Sequence, residues 1–301
     1  MLRALGIFRE VSNSPNRETD DALILKAVLE QLSNIGFSCR AVTPEESDAL
    51  DSIDESYDLI LPMCESYPRI KRLEKLASGR SRALWVNSPR AVLDCYRTNM
   101  ISAAAAAPGL RFPESECRRV EDGPGAAPRF AGAGAAGATG AAGATGAGGW
   151  WIKRGDVHNT CDRDVVRVEA WSRAEAVVRD FAEREITHWI VQPHIDGDLV
   201  KFYGAGPGHW FTWFYHDPMR ARRLPFEVDA LAEQARLGAQ MLGLQVFGGD
   251  AIISPGGLVT AIDLNSWPSF ALVRREAAVQ IAWQVQRRIR QAAPGRRETR
   301  A

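Results

Sequence analysis

The sequence has no net charge, few cysteines and no long apolar run, and each absence excludes a class of protein. Lysine plus arginine and aspartate plus glutamate number 37 each, so nothing indicates a nucleic acid or an anionic membrane as partner. No apolar stretch approaches the roughly 18 residues that a transmembrane helix requires. The N-terminus, MLRALGIFRE, is charged too early for a signal peptide, and we therefore expect a cytoplasmic protein.

The five cysteines are scattered and form no CxxC pair. Their number is odd, which argues against a disulfide framework, and their spacing matches no zinc site. We therefore expect a reduced chain, and its hydrophobic fraction of 46% suffices for an ordinary core. A length of 301 residues predicts about two domains or a two-lobed enzyme.

Short strands and helices alternate over the first hundred residues. Strands are predicted at 2–8, 38–42, 57–63 and 83–86. The segment Thr43-Pro44-Glu45-Glu46 is a capping box, and Ser88-Pro89 is a second helix start. This alternation predicts a parallel sheet with helices packed on it.

Residues 131–149 contain only alanine, glycine and threonine. Such a composition cannot fill a core, and it predicts a flexible low-complexity insertion on the surface. Glycines without a strand and a helix around them do not indicate a phosphate-binding loop. Farther on, Ser172 to Glu175 reads as a capping box that begins a helix ending near residue 185.

Residues 246–270 are the most informative stretch. Two short apolar runs, 246–254 and 258–265, flank Pro255-Gly256-Gly257, a pattern typical of a β-hairpin. If the two glycines form the loop, residues whose numbers sum to 513 face each other. Asp250 then lies opposite Asp263, with Cβ atoms about 5 Å apart. Asn265 lies two residues beyond Asp263 and therefore on the same face.

Two carboxylates and an amide oxygen on one face make a candidate metal site. Carboxylates this close repel each other unless a cation or a proton lies between them. Oxygen ligands suit Mg²⁺ or Mn²⁺, and Mg²⁺ usually takes one or two carboxylates together with substrate phosphates. The alternative is a polar outer hairpin face with an Asp-x-Asn turn, and a one-residue slip in register would separate the acids.

Gly249-Asp250 and residues 261–268 (AIDLNSWP) resemble the metal-binding end of the ATP-grasp family. That family places an acid on one strand and acid-x-Asn on the next, followed by a proline-containing loop. The resemblance implies an ATP-grasp fold of the α/β class, in which a parallel N-terminal α/β domain precedes two α+β lobes that clamp the nucleotide. It also implies that Asp250, Asp263 and Asn265 hold Mg²⁺ or Mn²⁺ beside ATP.

The resemblance divides the chain into three structural parts and a tail. Residues 1–100 would form the N-terminal domain, and residues 101–205 the small lobe, which carries the insertion 131–149. Residues 206–292 would form the C-terminal lobe with the metal site, and residues 293–301 a charged tail.

A nucleotide site is implied by the order of further residues. Lys153 would be the strand lysine on the α- and β-phosphates; the alternative is a lysine at a strand end. The family commonly carries a lysine near Arg97, where an arginine can hold phosphate or simply be solvated. The hinge that reads the adenine edge would comprise Gln192, His194 and Ile195.

Beyond the hinge, Asp198 or Asp196 would meet the ribose, unless this stretch is a β-hairpin with surface charges. Lys201 shares a strand face with Leu199 and Tyr203, and it would reach the transferred phosphate or the acceptor. A basic cluster would clamp an anionic group of the acceptor, the alternative being a solvated charge run: Arg220, Arg222 and Arg223.

Arg17 is a further candidate contact with the acceptor. It lies in the loop after the first strand, where open α/β sheets bind their ligands.

The activity that the resemblance implies is ligation of a small-molecule carboxylate to an amine. ATP would phosphorylate the carboxylate, and the amine would attack the acyl phosphate. Residues 200–204 and 263–270 also resemble the inositol polyphosphate kinases of the same superfamily, whose acceptor needs a dense basic pocket. A nucleotide-binding protein without catalysis is the third hypothesis.

Overall fold

The computed structural model describes residues 1–14, 18–49, 57–79, 82–130, 148–156 and 161–292. Several predicted features fall outside these residues: Arg17, residues 131–147 of the insertion, and the tail 293–301. The end of the insertion is described, and there the carbonyl of Gly149 accepts a hydrogen bond from the amide of His194 (3.0 Å).

The first sheet is parallel. Its strands are β1 (Leu2–Ile7), β2 (Phe37–Val42), β3 (Leu59–Pro62) and β4 (Leu84–Trp85). They lie in the order β2–β1–β3–β4. The central strands β1 and β3 are buried almost throughout, because helices cover both faces of the sheet. The predicted N-terminal parallel α/β architecture is confirmed.

Five helices belong to this part of the chain. They are α1 (Glu18–Asn34), α2 (Pro44–Asp48), α3 (Tyr67–Ala77), α4 (Pro89–Asp94) and α5 (Arg97–Ala105). The predicted capping box of α2 is present, since the Thr43 hydroxyl accepts from the Glu46 amide and the Glu46 carboxylate accepts from the Thr43 amide. Ser88 caps α4 with a single hydrogen bond, its hydroxyl accepting from the amide of Ala91 (3.2 Å).

The second sheet is antiparallel and lies between residues 116 and 193. Its strands are β5 (Glu116–Arg119), β6 (Trp150–Arg154), β7 (Val165–Val168) and β8 (His188–Pro193). They lie in the order β5–β8–β6–β7, and helix α6 (Ala174–Glu183) packs on them. The capping box predicted at Ser172 is wrong: a 3₁₀ turn precedes α6, and Arg173 occupies the N-cap without a side-chain cap.

The third sheet is also antiparallel. Its strands are β9 (Asp198–Ala205), β10 (Trp210–Tyr215), β11 (Val246–Ile253) and β12 (Val259–Ser266). They lie in the order β10–β9–β11–β12. Because β9 pairs with both β10 and β11, the third sheet begins at residue 198, before the division expected at residue 205.

Two helices belong to the C-terminal part of the chain, one between β10 and β11 and one after β12. Helix α7 (Val228–Met241) packs on the third sheet through Leu231, Ala235 and Ala239. Helix α8 (Arg274–Ala292) packs against α1, where Ile281 and Val285 join one buried cluster that also includes Ala205 and Val246 of the third sheet. Within the described ranges, no helix combines the length and the apolar composition that a membrane crossing requires.

The β11–β12 hairpin carries Asp250 opposite Asp263, as the sequence predicts. Two irregularities compensate to produce that pairing. Beyond the strand ends, the Ser254 amide still donates to the Leu258 carbonyl (3.0 Å), so the loop itself has three residues, 255–257, with Gly257 at φ +75°. The numbers of paired residues near the turn therefore sum to 512. One extra residue, Ile262, bulges from β12 and restores the sum of 513 at the acids.

Asn87, which follows β4, fastens the first sheet to the start of β11. Its side-chain oxygen accepts hydrogen bonds from the amides of Gln245 (2.7 Å) and Val246 (2.9 Å). Its side-chain nitrogen donates to the Val246 carbonyl (2.6 Å). The side chain is completely buried. The position of the hairpin that carries the acids therefore depends on this residue.

Replacing Asn87 by alanine is expected to lower the free energy of unfolding by about 2–4 kcal/mol, because three hydrogen bonds are lost and their backbone partners stay buried. Urea unfolding followed by circular dichroism measures the change. Asn34→Ala, at the exposed end of α1, is the matched control and should stay within about 0.5 kcal/mol of the unaltered protein. Equal stability of the two variants would contradict the docking role.

Candidate active site

Three charged side chains form a row across adjacent strands of the third sheet. Lys201 on β9 pairs directly with Asp250 on β11, which pairs in turn with Asp263 on β12. The Lys201 ammonium donates to Asp250 Oδ1 at 2.7 Å. The Asp250 and Asp263 side chains keep 21% and 16% of their surface exposed, so both remain reachable from the cavity beside them.

Arg97 brings a second cation to the row from the N-terminal part of the chain. It is the first residue of α5, and its side chain is 5% exposed. One guanidinium nitrogen lies 3.5 Å from Asp263 Oδ2, and another donates to the carbonyl of Arg154 (3.0 Å). Arg97 therefore joins the first, second and third sheets at the acids.

Lys153 approaches the same acids from the second sheet. It lies on β6, is buried, and its ammonium is 3.4 Å from the carbonyl oxygen of Ile262, the bulged residue. Burial lowers the pKa of Lys153 to about 8; Asp263 opposes this shift, and Arg97 adds to it. The structure thus brings together the predicted residues Arg97, Lys153, Lys201, Asp250 and Asp263.

A cavity of about 500 Å³ opens onto the two acids. Asn265 lines it, on the same strand face as Asp263. Both the third sheet and the loops that follow the parallel strands β1 and β3 contribute to its wall. The cavity is therefore shared between the N-terminal and C-terminal parts of the chain, and its volume suits a small molecule.

Arg9 is a cavity residue that the sequence reasoning missed. Its guanidinium donates to the carbonyls of Met63 (3.2 Å) and Trp267 (2.7 Å), and it forms ion pairs with Asp21 (3.0 Å) and Glu65 (3.1 Å). It thereby anchors the segment after Asn265 to the first sheet. Open α/β sheets bind ligands at the carboxyl ends of their strands, which indicates the loop after β1 as a contact region. The contact predicted from that loop is Arg17 and not Arg9.

The predicted hinge spans the end of β8 and the start of the connection to β9, where the chain passes from the second sheet to the third. Gln192 is buried and donates to the Ser115 hydroxyl (2.8 Å). The His194 ring accepts from the Trp151 indole (3.2 Å), and burial lowers the pKa of His194. Ile195 is half-buried in the connection itself.

The predicted ribose contacts, Asp196 and Asp198, and the predicted arginine cluster 220–223 lie outside the lining of the cavity. Both carboxylate oxygens of the buried Asp198 accept from backbone amides, those of Arg222 (2.7 Å) and Leu224 (2.8 Å), so this side chain holds the loop after β10. The Arg222 guanidinium pairs with Asp196 (3.1 Å). The Arg220 side chain is 90% exposed and lies beside Asp217. The arginine cluster therefore lies apart from the cavity that Asp250 and Asp263 line.

Asp250, Asp263 and Asn265 suit a hard divalent cation. In the described part of the chain, no three His, Cys, Asp or Glu side chains form a metal-binding group. Two carboxylates and one amide oxygen instead make an open set, which leaves coordination positions for phosphate oxygens and water. That is the preference of Mg²⁺, which seldom occupies a cage made entirely of protein ligands.

Comparisons with known proteins identify the fold through solved structures alone. Neither a scan of protein-family models nor a search of curated proteins finds a match. Solved structures do match over nearly the whole chain. A RimK-domain ATP-grasp protein from Sphaerobacter thermophilus has 18% identity and a TM-score of 0.64, covering 94% of this chain and 99% of its own.

Two ligases show the same likeness. The D-alanine–D-alanine ligase of Bacillus anthracis, solved with ATP, has 11% identity and a TM-score of 0.65, with 97% and 99% of the two chains covered. The VanG D-Ala:D-Ser ligase of Enterococcus faecalis has 13% identity and a TM-score of 0.64, with 96% and 99% covered. At such identities the likeness establishes the fold.

Titration of Lys153 should appear in the pH dependence of stability. Between pH 8 and 10 the unfolded chain still binds the lysine proton, whereas the folded protein has released it, so folding becomes more favourable as the pH rises. Relative to Lys153→Met, the unaltered protein should gain up to about 3 kcal/mol over this range. Urea unfolding in EDTA at several pH values measures it.

Lys153→Arg is the matched comparison, because arginine stays charged throughout this range. The unaltered protein should gain stability relative to that variant by the same amount as relative to Lys153→Met. A stability difference that does not change with pH in either comparison would show that Lys153 is not held at a lowered pKa.

Proposed function

We propose, since this chain has the ATP-grasp fold, that it is an ATP-dependent ligase that joins a carboxylate to an amine. The observation that carries the proposal is that Lys201, Asp250 and Asp263 line one cavity, while Lys153 approaches the same acids from β6 beside the Ile262 carbonyl. Three of the four come from the third sheet and one from the second, so a nucleotide would lie between the two sheets.

The two lysines suit the polyphosphate of ATP. Lys153 would contact the α- and β-phosphates from β6, and its pKa of about 8 leaves it largely protonated at neutral pH. Lys201 would face the transferred phosphate from β9. Gln192 lies at the end of β8, and His194 and Ile195 lie in the connection that follows it, where backbone groups would read the adenine edge. Arg97 would add positive charge beside Asp263.

Asp250, Asp263 and Asn265 would hold one or two Mg²⁺ ions. When bound, Mg²⁺ supplies positive charge that stabilises the phosphoryl group during transfer. The side chains of this protein position the reactants and arrange the charge around them, which is the main source of catalysis in phosphoryl transfer.

The reaction has two balanced steps. A carboxylate oxygen of the first substrate attacks the γ-phosphorus of ATP, the bond to the bridging oxygen breaks, and ADP leaves. The amine nitrogen of the second substrate then attacks the acyl carbon, phosphate leaves, and the amine loses a proton. The cavity between the acids and the loops after β1 and β3 would admit these small substrates.

The placement of the arginine cluster does not favour the kinase alternative. A polyphosphorylated acceptor needs a dense basic pocket. Arg220 and Arg222 lie outside the cavity lining, and each is beside an aspartate, Asp217 or Asp196. The cations that do line the cavity each lie beside a carboxylate: Arg9, Arg97 and Lys201.

The decisive assay measures ADP and phosphate release from Mg-ATP with pooled amino acids, small peptides and inositol phosphates, followed by mass analysis of the products. A ligase releases ADP and free phosphate and yields a condensed product that has lost one water. A phosphorylated acceptor without free phosphate would instead establish a kinase and overturn the proposal.

Asp263→Asn should abolish ATP turnover in this assay and leave the fold intact, because the amide keeps the shape of the side chain but not its charge. Asp122→Asn, at an exposed position of the second sheet's edge loop, is the matched control and should turn over ATP at the unaltered rate. If Asp263→Asn kept the unaltered rate, the assignment of the metal site would be wrong.

A further inference from the structure

We propose that Lys201 and Arg97 serve as built-in counter-ions of Asp250 and Asp263, so that a divalent metal ion binds tightly only together with the nucleotide. This inference rests on the metal assignment in the proposed function and adds a rule for the order of binding. It concerns the two cationic side chains that the protein itself places beside the two carboxylates.

Lys201 occupies the position from which a cation neutralises Asp250 most directly. The two residues are register partners on β9 and β11, and the ammonium lies 2.7 Å from Asp250 Oδ1. The Lys201 side chain is 31% exposed, and its four-carbon stem allows the ammonium to move away while the strand stays fixed. Lys201 is therefore the counter-ion that can be displaced.

Arg97 neutralises Asp263 from a more rigid position. Its side chain is 5% exposed, and the hydrogen bond to the Arg154 carbonyl holds the guanidinium in place. Its contact with Asp263 is longer, at 3.5 Å, and the Asp263 side chain keeps 16% of its surface exposed. Arg97 is therefore a counter-ion that stays when other ligands bind.

The charge balance follows from these contacts. Two close cations, with the more distant Lys153 adding to them, already compensate the two carboxylates, so a divalent ion entering alone would meet positive charge at short distance. The negative phosphates of ATP would offset that charge, and Lys201 could turn from Asp250 to a phosphate. Metal and nucleotide would then each raise the affinity for the other, as linkage requires.

The test measures Mn²⁺ binding by the electron paramagnetic resonance signal of the free ion, without any turnover. In the absence of nucleotide, Lys201→Met should bind Mn²⁺ at least about tenfold more tightly than the unaltered protein, because Asp250 loses its competing cation. Lys201→Gln should show the same gain. A residue merely needed for folding would cause a loss instead.

Two variants control the result. Lys71→Met removes another ion-paired lysine, the partner of Glu74 on α3, and should leave Mn²⁺ affinity unchanged. The double variant Lys201→Met with Asp250→Asn should lose the gain, which would localise it to the acids. With a non-hydrolysable ATP analogue, the unaltered protein should bind Mn²⁺ at least about tenfold more tightly than without it.

The proposal is overturned if neither Lys201 variant gains affinity, or if the gain survives in the double variant. Failure of the proposed function gives a different pattern. If Mn²⁺ binding is absent even with the ATP analogue, the acids are not a metal site, and both proposals fall. If the analogue supports binding but the Lys201 variants show no gain, the metal site stands and the counter-ion role alone is excluded.

Discussion

Two like charges held face to face are the constraint on which this structure depends. Asp250 and Asp263 are direct cross-strand partners, an arrangement that is unfavourable unless cations compensate it. The compensation comes from distant parts of the chain: Arg97 from the start of α5, Lys201 from β9 and, more weakly, Lys153 from β6. The two carboxylates of one hairpin are thus compensated by side chains from all three parts of the fold.

The N-terminal sheet sets the position of that hairpin. Asn87 binds the backbone at the start of β11, and Trp267, just after β12, donates its indole hydrogen to the Val86 carbonyl (3.1 Å). Arg9 holds the Trp267 carbonyl, and α8 returns to pack on α1. Both ends of the β11–β12 unit are therefore fixed to the first sheet, so the acids and the cavity loops keep a defined relation.

The sequence predicts much of this arrangement. Local signals sufficed for the parallel sheet, the capping box at Thr43 and the pairing of Asp250 with Asp263. That pairing emerged although the loop has three residues, because the bulge at Ile262 compensates. The partners of Arg9, and the commitment of Asp198 to the loop amides of Arg222 and Leu224, are tertiary contacts that no local pattern encodes. The placement of α8 on α1 likewise depends on the fold.

The most direct test of this account is a crystal structure with Mn²⁺ and a non-hydrolysable ATP analogue, read by the anomalous signal of manganese. The account predicts a peak bound by Asp250, Asp263 and Asn265 at about 2.0–2.3 Å, with phosphate oxygens completing the coordination and Lys153 on the phosphates. A nucleotide bound between the second and third sheets with no manganese at the acids, and with Lys201 still on Asp250, would contradict it.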